Sequence, residues 1–544
     1  MPELAESASG AHRPSRWWQW LGAFSSALER RRGLYAALLL AFIVLSALGQ
    51  SARRPFTYDE QISYRTALMP LRGVWSFYAQ GLDTTGPVPS LLAHIALALP
   101  QSPEIAIRVP FIAAFAIMCW GLFSFLGQRY AAGFALAGLI IPLELSTLLY
   151  CRTDARAYAL MLCAAGAGLR FWQMAAEGKA RPWSVLGLWL VLALGVSAHF
   201  FAVFLFAPFA LAQLVLESER KRRDLAVWGA LLLFPLACLP LAPGAMRAHR
   251  LYAGTFWAKP ALANLGDAYE LMIEDSWPII FVLCIFVFGL VLWHWRAPRS
   301  RARSTHAGLH KAEWVLILAL LVLPLIVWAA AQLIGAYRYM YVITFAAGLT
   351  VALAAGVAEL SGRKPRVGLC FFLLMAILAV ADEQGTYAAG CGQALMDRGA
   401  AHRALAASFQ SSDWARWLER SQLPVVADND TYVRLAMYGS PALARRSFAL
   451  TNLAAATTYP LAMTDQNNML LFGERIGLQS QDINVFMRQH PRFILVQQRP
   501  HRSYEWMAAC LLERSREANG PQMQVRYMDG EGRVFLYEVV SAPQ

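Results

Sequence analysis

The sequence predicts a polytopic α-helical membrane protein of about eleven transmembrane helices, followed by a small soluble α/β domain. Three observations predict it. Hydrophobic residues make up 57% of the 544-residue chain and charged residues only 15%, which is more apolar surface than a globular core buries. Apolar stretches near the roughly 20 residues that a helix needs to cross hydrocarbon recur between residues 34 and 382. Beyond them the charges spread evenly along the chain, as in a soluble domain.

The first 33 residues are polar and basic, and Trp17, Trp18 and Trp20 predict a helix lying at the membrane interface. No small-residue cleavage site follows the first apolar run, so that run reads as an uncleaved anchor. Spans are expected at 34–50, 107–127, 131–149, 157–176, 183–199, 200–217, 225–243, 277–295, 313–335, 339–360 and 366–382. Between the first two lies a long segment, 51–106, in which 62–80 and 87–100 have helix-like apolar spacing. Arg65, Arg72, Asp83, His94 and Glu104 interrupt them too often for hydrocarbon, so interfacial helices are expected there.

Basic clusters test the count. Arg30 to Arg32, Lys179 with Arg181, Arg220 to Arg223, 296–311, and Arg363 to Arg366 all fall on one side if the N-terminus is cytoplasmic and the spans alternate. The net charge of +13 is then topological and no nucleic-acid footprint. The division expected is an interfacial segment 1–33, a membrane unit 34–382 and an outward domain 383–544. In that domain 425–427, 493–496 and 534–537 read as strands, and 402–421, 482–490 and 504–518 as helices. It holds no P-loop and no zinc spacing, and reads as an acceptor-binding or shielding module. Six of the eight cysteines lie in or beside spans as packing residues. Cys391 and Cys510 lie in the outward tail, where an oxidising compartment permits a disulfide.

With this topology, ionisable residues recur at the outward ends of spans: Asp59, Glu60, Asp83, His94, Asp154, Arg156, His199, Lys259 and Arg338. Such groups at membrane depth are costly unless paired or functional. Carboxylates beside Arg and Lys suit a reaction that deprotonates a hydroxyl and stabilises a departing phosphate. Plainer roles stand beside each. Glu60 can cap the following helix, and Asp154 can form a local salt bridge with Arg156 or Arg152. His199 can be a packed histidine, Lys259 a snorkelling residue, and Arg338 an anchor to lipid phosphate. Glu144, inside the third span, is isolated in sequence.

These residues resemble a known family. Asp59-Glu60 after the first span, Leu82-Asp83 leading into Gly86-Pro87-Val88-Pro89, and Arg108-Val109-Pro110 are similar to the opening of GT-C membrane glycosyltransferases of the protein mannosyltransferase and aminoarabinose transferase type, glycosyltransferase family 39. Asp154-Ala155-Arg156-Ala157-Tyr158-Ala159-Leu160 resembles their acidic-Ala-Arg-Pro-Tyr-Ala-Leu motif. Ser197-Ala198-His199-Phe200-Phe201 resembles their Thr-His-Tyr-Tyr segment, and Ala336-Tyr337-Arg338-Tyr339 their late Arg-Tyr. Two positions depart: Pro87-Val88-Pro89-Ser90 stands where relatives carry Pro-Pro-Leu-Tyr, and Ala157 replaces the usual Pro.

The resemblance implies an inverting transferase of the bacterial inner membrane, working on its periplasmic face with a polyprenyl-phosphate-linked sugar as donor. The acceptor hydroxyl would belong to a lipid, a glycan or a protein. Asp59 would be the general base. Asp154 would be the second catalytic acid, orienting acceptor or donor or sharing magnesium or manganese with Asp59 in a metal-using member, and Glu60 a third catalytic residue. Arg338, Arg156 and Lys259 would hold the phosphate, with His199, Asp83 and Tyr58 toward the substrate. The rival from another class is a transporter or lipid flippase, whose polar residues would line the midplane. A non-catalytic envelope scaffold is a second.

Overall fold

The computed structural model describes residues 16–253, 255–256, 258–274, 277–296, 306–383, 397, 399–458, 460–498, 506–517 and 520–541. Among them, seven helices are long and apolar enough to cross a membrane: Arg32–Ser51, Pro103–Leu126, Tyr158–Ala176, Arg181–Ala198, Phe200–Arg220, Leu225–Tyr252 and Lys311–Ile334. Shorter apolar helices, Ala132–Glu144, Ile280–Leu290, Phe345–Leu360 and Pro365–Val380, occupy the remaining expected positions. The helix expected from residue 339 is regular only from Phe345, because Tyr339–Val342 forms a 3₁₀ turn. That turn lies directly after Arg338 and fixes how the arginine enters the site.

Small residues bring the helices together. A Cβ on Gly121 would lie 2.4 Å from the Gly166 carbonyl oxygen, so Val109–Leu126 and Tyr158–Ala176 touch backbone to backbone. Where the basic clusters lie, Arg129 binds both carboxylate oxygens of Glu313 at 2.9 and 2.8 Å, and Gln173 donates to the same group at 2.8 Å. The N-terminal helix Arg16–Arg30 buries Leu21 and Leu28 against this bundle and leaves Trp20 exposed, stacked on Phe24 at 5.5 Å. The side chains of Trp17 and Trp18 lie outside the described residues.

The C-terminal domain is the expected α/β unit, built on six strands: β1 (Val425–Ala427), β2 (Ser447–Thr451), β3 (Ser480–Asp482), β4 (Arg492–Gln498), β5 (Gln522–Met528) and β6 (Val534–Val540). Their order is β3-β2-β1-β4-β6-β5. The first four are mutually parallel, while β6 and β5 add antiparallel. The sequence predicts β1, β4 and β6 because each is a short apolar run. It misses β2, whose run is bounded by Ser447 and Thr451, β3, only three residues long, and β5, an edge strand with mostly exposed side chains. Cys391 lies outside the described residues, and Cys510 is buried on this domain's helix Trp506–Arg514.

The segment 51–106 folds into helices Tyr58–Ala67, Leu71–Ala79, Val88–Ala96 and Pro103–Ala106. They are wedged between bundle and soluble domain. Tyr58, Phe77 and Leu82 share one apolar cluster with Leu418, Val425, Tyr432 and Leu435 of the soluble domain. Polar contacts reinforce it. Phe56 donates its N–H to the Tyr438 hydroxyl at 3.0 Å, Gln61 donates to the Val433 carbonyl at 3.2 Å, and His402 meets Glu104 at 2.7 Å. The soluble domain is therefore docked across a continuous core on the segment that follows the first span.

Candidate active site

Where the bundle, the segment 51–106 and the soluble domain meet, a cavity of about 680 Å³ opens. Asp59, Tyr58, Arg156, His199, Lys259 and Arg338 all line it. Six residues singled out from five separate stretches of sequence thus converge on one space. Aromatic rings of Tyr150, Tyr158, Tyr252, Phe201 and Tyr341 form much of the remaining wall.

Asp59 occupies the first turn of helix Tyr58–Ala67. Thr57 starts that helix with a capping box: its hydroxyl accepts from Glu60 N–H at 3.3 Å, and the Glu60 carboxylate accepts from Thr57 N–H at 3.1 Å. The helix N-terminus favours a negative charge there. Asp59 is 45% exposed at its side chain and faces Arg156 Nη2 at 3.7 Å. It is a solvated carboxylate at the cavity wall.

Glu60 follows one residue later and, at 100° per residue, points the other way. Its side chain is fully buried and does not line the cavity. Arg108 binds it through Nε to Oε1 and Nη2 to Oε2, both at 2.7 Å, and Arg54 approaches at 3.3 Å. Arg108 also donates to the carbonyls of Ser51, Arg54 and Pro55. Burial by itself would raise the Glu60 pKa, but Arg108 and then Arg54 pull it down to about 2. The pair is the clasp that holds 51–57 and presents Asp59.

Asp154 is also buried, away from the cavity lining. Its ion-pair partner is neither Arg156 nor Arg152 but Arg54, at 3.7 Å. Arg152 instead donates to the Ser46 hydroxyl at 2.8 Å and to Gln50 at 3.1 Å. Burial, then the charge of Glu60, pushes the Asp154 carboxyl up to about 7, against the pull of Arg54 and Arg156. Two residues on, Arg156 is in the cavity, so the motif splits its acid inward and its base outward.

The cations at the other wall are set by backbone. Tyr337 N–H donates to the Ala258 carbonyl at 2.8 Å, bringing the chain neighbours Arg338 and Lys259 to the same cavity. Arg338 is partly buried, in extended conformation at φ −145° and ψ 147°, with its guanidinium 5.6 Å from the Tyr339 ring centre. Lys259 is exposed. His199 ends helix Arg181–Ala198, buried beside Tyr341 at 4.9 Å. Its Nδ1 accepts from Phe201 N–H at 3.3 Å, which leaves Nε2 to carry the proton of the neutral ring.

Asp83 accepts from the N–H and hydroxyl of Thr85, at 2.9 and 2.8 Å. It lines a smaller pouch of about 50 Å³ that also touches Asp59 and Arg156, while Thr84 and Thr85 line both spaces. Gly86 permits this turn. It hydrogen-bonds Ala198 O at 3.0 Å, and a Cβ there would fall 1.8 Å from Ser197 O. His94, by contrast, bonds the Ala67 carbonyl at 2.7 Å and lines neither space.

Among the described residues, no group of three or more His, Cys, Asp or Glu side chains could hold a metal ion. Asp59 and Asp154, the candidate ligands, face different arginines, one at the cavity and one behind it. The residues present do not fit a shared divalent ion.

The soluble domain contributes residues that sequence reasoning missed. Asp430, Thr464, Asp465 and Asn468 line the same cavity. Asp430 follows the carboxyl end of β1 and accepts Tyr58 N–H at 3.2 Å. No local pattern marks them, because they are separated from Asp59 by hundreds of positions and belong to another folding unit.

No protein-family model and no curated protein matches the chain. Two crystal structures of ArnT from Cupriavidus metallidurans are similar in their course. The one bound to undecaprenyl phosphate has a TM-score of 0.45 and 12% identity, covering 94% of this chain and 99% of that one. The apo structure has a TM-score of 0.47 and 12% identity, covering 93% and 99%. At these values the likeness carries no argument about the site.

Proposed function

We propose that this protein is an inverting membrane glycosyltransferase of GT-C type that takes a sugar from a polyprenyl phosphate and passes it to an acceptor hydroxyl. The observation that carries the proposal is that a solvated carboxylate at a helix N-terminus, Asp59, shares one aromatic-walled cavity with Arg338 and Lys259. Base and phosphate-binding cations are what such a transfer needs at opposite ends of the sugar.

The Asp59 carboxylate takes the proton of the acceptor hydroxyl. The hydroxyl oxygen bonds to the anomeric carbon from the face away from phosphate, and the carbon–oxygen bond to phosphate breaks with its electron pair on the phosphate oxygen. Arg338 and Lys259 neutralise that oxygen as charge develops, and Arg338 suits it because its planar fork binds two phosphate oxygens. Arg156 orients Asp59. His199 offers Nε2–H to the sugar, and the tyrosine rings stack along it. Glu60 and Asp154 act through Arg54 and Arg108 as positioning residues behind the site.

Residues 34–382 are assigned as the catalytic membrane unit and 383–544 as a domain on the outer face of a bacterial inner membrane, with the N-terminus cytoplasmic. The basic clusters on the alternate ends of the spans support that orientation.

The test is release of sugar from a panel of labelled polyprenyl-phosphate sugars by purified protein in lipid, with Asp59→Asn alongside. Turnover by wild type that vanishes in the variant supports the reaction class and the base. A well-folded wild type that consumes no donor in the panel overturns it and turns attention to transport.

A further inference from the structure

Helix Pro460–Asn468 of the soluble domain presents Thr464, Asp465 and Asn468 to the cavity, the spacing of one helix face. Two of the three are already engaged with the membrane unit. The Thr464 hydroxyl donates to the Thr255 carbonyl, and Asn468 Oδ1 accepts from the Tyr252 hydroxyl at 2.7 Å. Asn467 adds a bond to the Thr255 hydroxyl at 3.1 Å. These bonds pin the helix in place and leave Asp465 between them.

Asp465 is 7% exposed, and its Oδ2 is buried with no hydrogen-bond partner. A buried oxygen left in that state is destabilising unless something else satisfies it. The helix bonds that surround it show that the orphan is no product of loose packing. We propose that Asp465 is a substrate-binding residue whose carboxyl hydrogen-bonds a hydroxyl of the sugar held between Asp59 and Arg338, so that the soluble domain completes the site. This rests on the glycosyltransferase reading above.

The surroundings set the form of the group. Burial, then the nearby carboxylates of Asp59, Asp428 and Asp430, push its pKa well above the usual range against the pull of Arg338. That direction favours the protonated form, which donates as well as accepts, suits a sugar hydroxyl and repels no phosphate. Asp428 cannot take this part, because both its oxygens are committed to Thr431 at 3.0 and 2.6 Å.

The experiment compares wild type, Asp465→Asn and Asp465→Leu in lipid, with whichever polyprenyl-phosphate sugar wild type consumes and with sugar-free polyprenyl phosphate as a binding probe. Asp465→Leu is expected to raise the donor KM about 10-fold or more while binding sugar-free polyprenyl phosphate as wild type does. Asp465→Asn, which keeps a donor and an acceptor, is expected to stay within about threefold of wild type. If Leu lowers the melting temperature, Asp465→Ala, which offers neither donor nor acceptor, carries the same expectation without apolar bulk. Wild-type KM in the Leu or Ala variant overturns the inference, as does equal weakening of sugar-bearing and sugar-free lipid. A wild type that consumes no donor defeats the underlying reading, a result distinct from either.

Discussion

Tyr337 donates its backbone N–H to the carbonyl of Ala258 at 2.8 Å, and this bond ties together two loops that lie far apart in sequence. Each loop carries a cation into the cavity at the next residue, Arg338 on one and Lys259 on the other. The bond is made by backbone alone, so side-chain substitutions at Arg338 and Lys259 leave it in place and the two cations can be removed one at a time.

Arg338→Ala is therefore expected to raise the donor KM by about 10- to 100-fold, the range for losing a charge-assisted bond in a partly buried site. Arg338→Lys keeps charge but not the fork and is expected to recover only part of it. Lys259 is exposed, and Lys259→Ala is expected to cost about threefold or less at physiological salt. Steady-state kinetics on the three variants decides the order.

Asp59→Asn is expected to lower turnover by about 10²- to 10⁴-fold with little change in melting temperature, because the carboxylate is solvated and its Arg156 contact is long. Glu60→Gln is expected to show the reverse emphasis. It leaves Arg108 without its buried counter-charge, at a cost of about 3–5 kcal/mol. Paired thermal melts and sugar-release assays separate the two adjacent acids. Equal melting of both variants would remove the distinction drawn between them.

The buried acids give stability opposite pH dependences. Glu60 is held down to about 2 from 4.5, so its contribution is present above its unfolded value and disappears as pH falls through about 2. Asp154 is raised to about 7 from 3.8, so its contribution is present below 3.8 and lost as pH rises through about 7. Between those values the Asp154 carboxyl makes the protein less stable with rising pH. Melts of wild type and Asp154→Asn across that interval are expected to show the decline in wild type and a flatter curve in the variant.

Chelation is expected to leave turnover unchanged. Asp59 and Asp154 face different arginines, and the described residues gather no three-ligand cluster. Assays with EDTA, then with added magnesium or manganese, check this, and a loss restored by either ion would require ligands outside the side chains described.

Much of this protein was legible in its sequence. Membrane helices are long apolar stretches whose partner is lipid, so their positions follow from composition alone, and the positions expected for them are those where apolar helices stand. The capping motif Thr57-Tyr58-Asp59-Glu60 is likewise local, and it forms as residue chemistry dictates. Tertiary structure decided what local pattern cannot. It turned Asp59 toward the cavity and Glu60 into an ion pair with Arg108, because neighbours on a helix point 100° apart and packing chooses which faces inward. It gave Asp154 to Arg54 rather than to the arginines beside it in the motif, since a buried charge takes whichever partner the fold brings near. And it brought Asp430 and Asp465 from another domain to the wall beside Asp59, a meeting that depends on docking across a shared apolar core and leaves no trace in either segment.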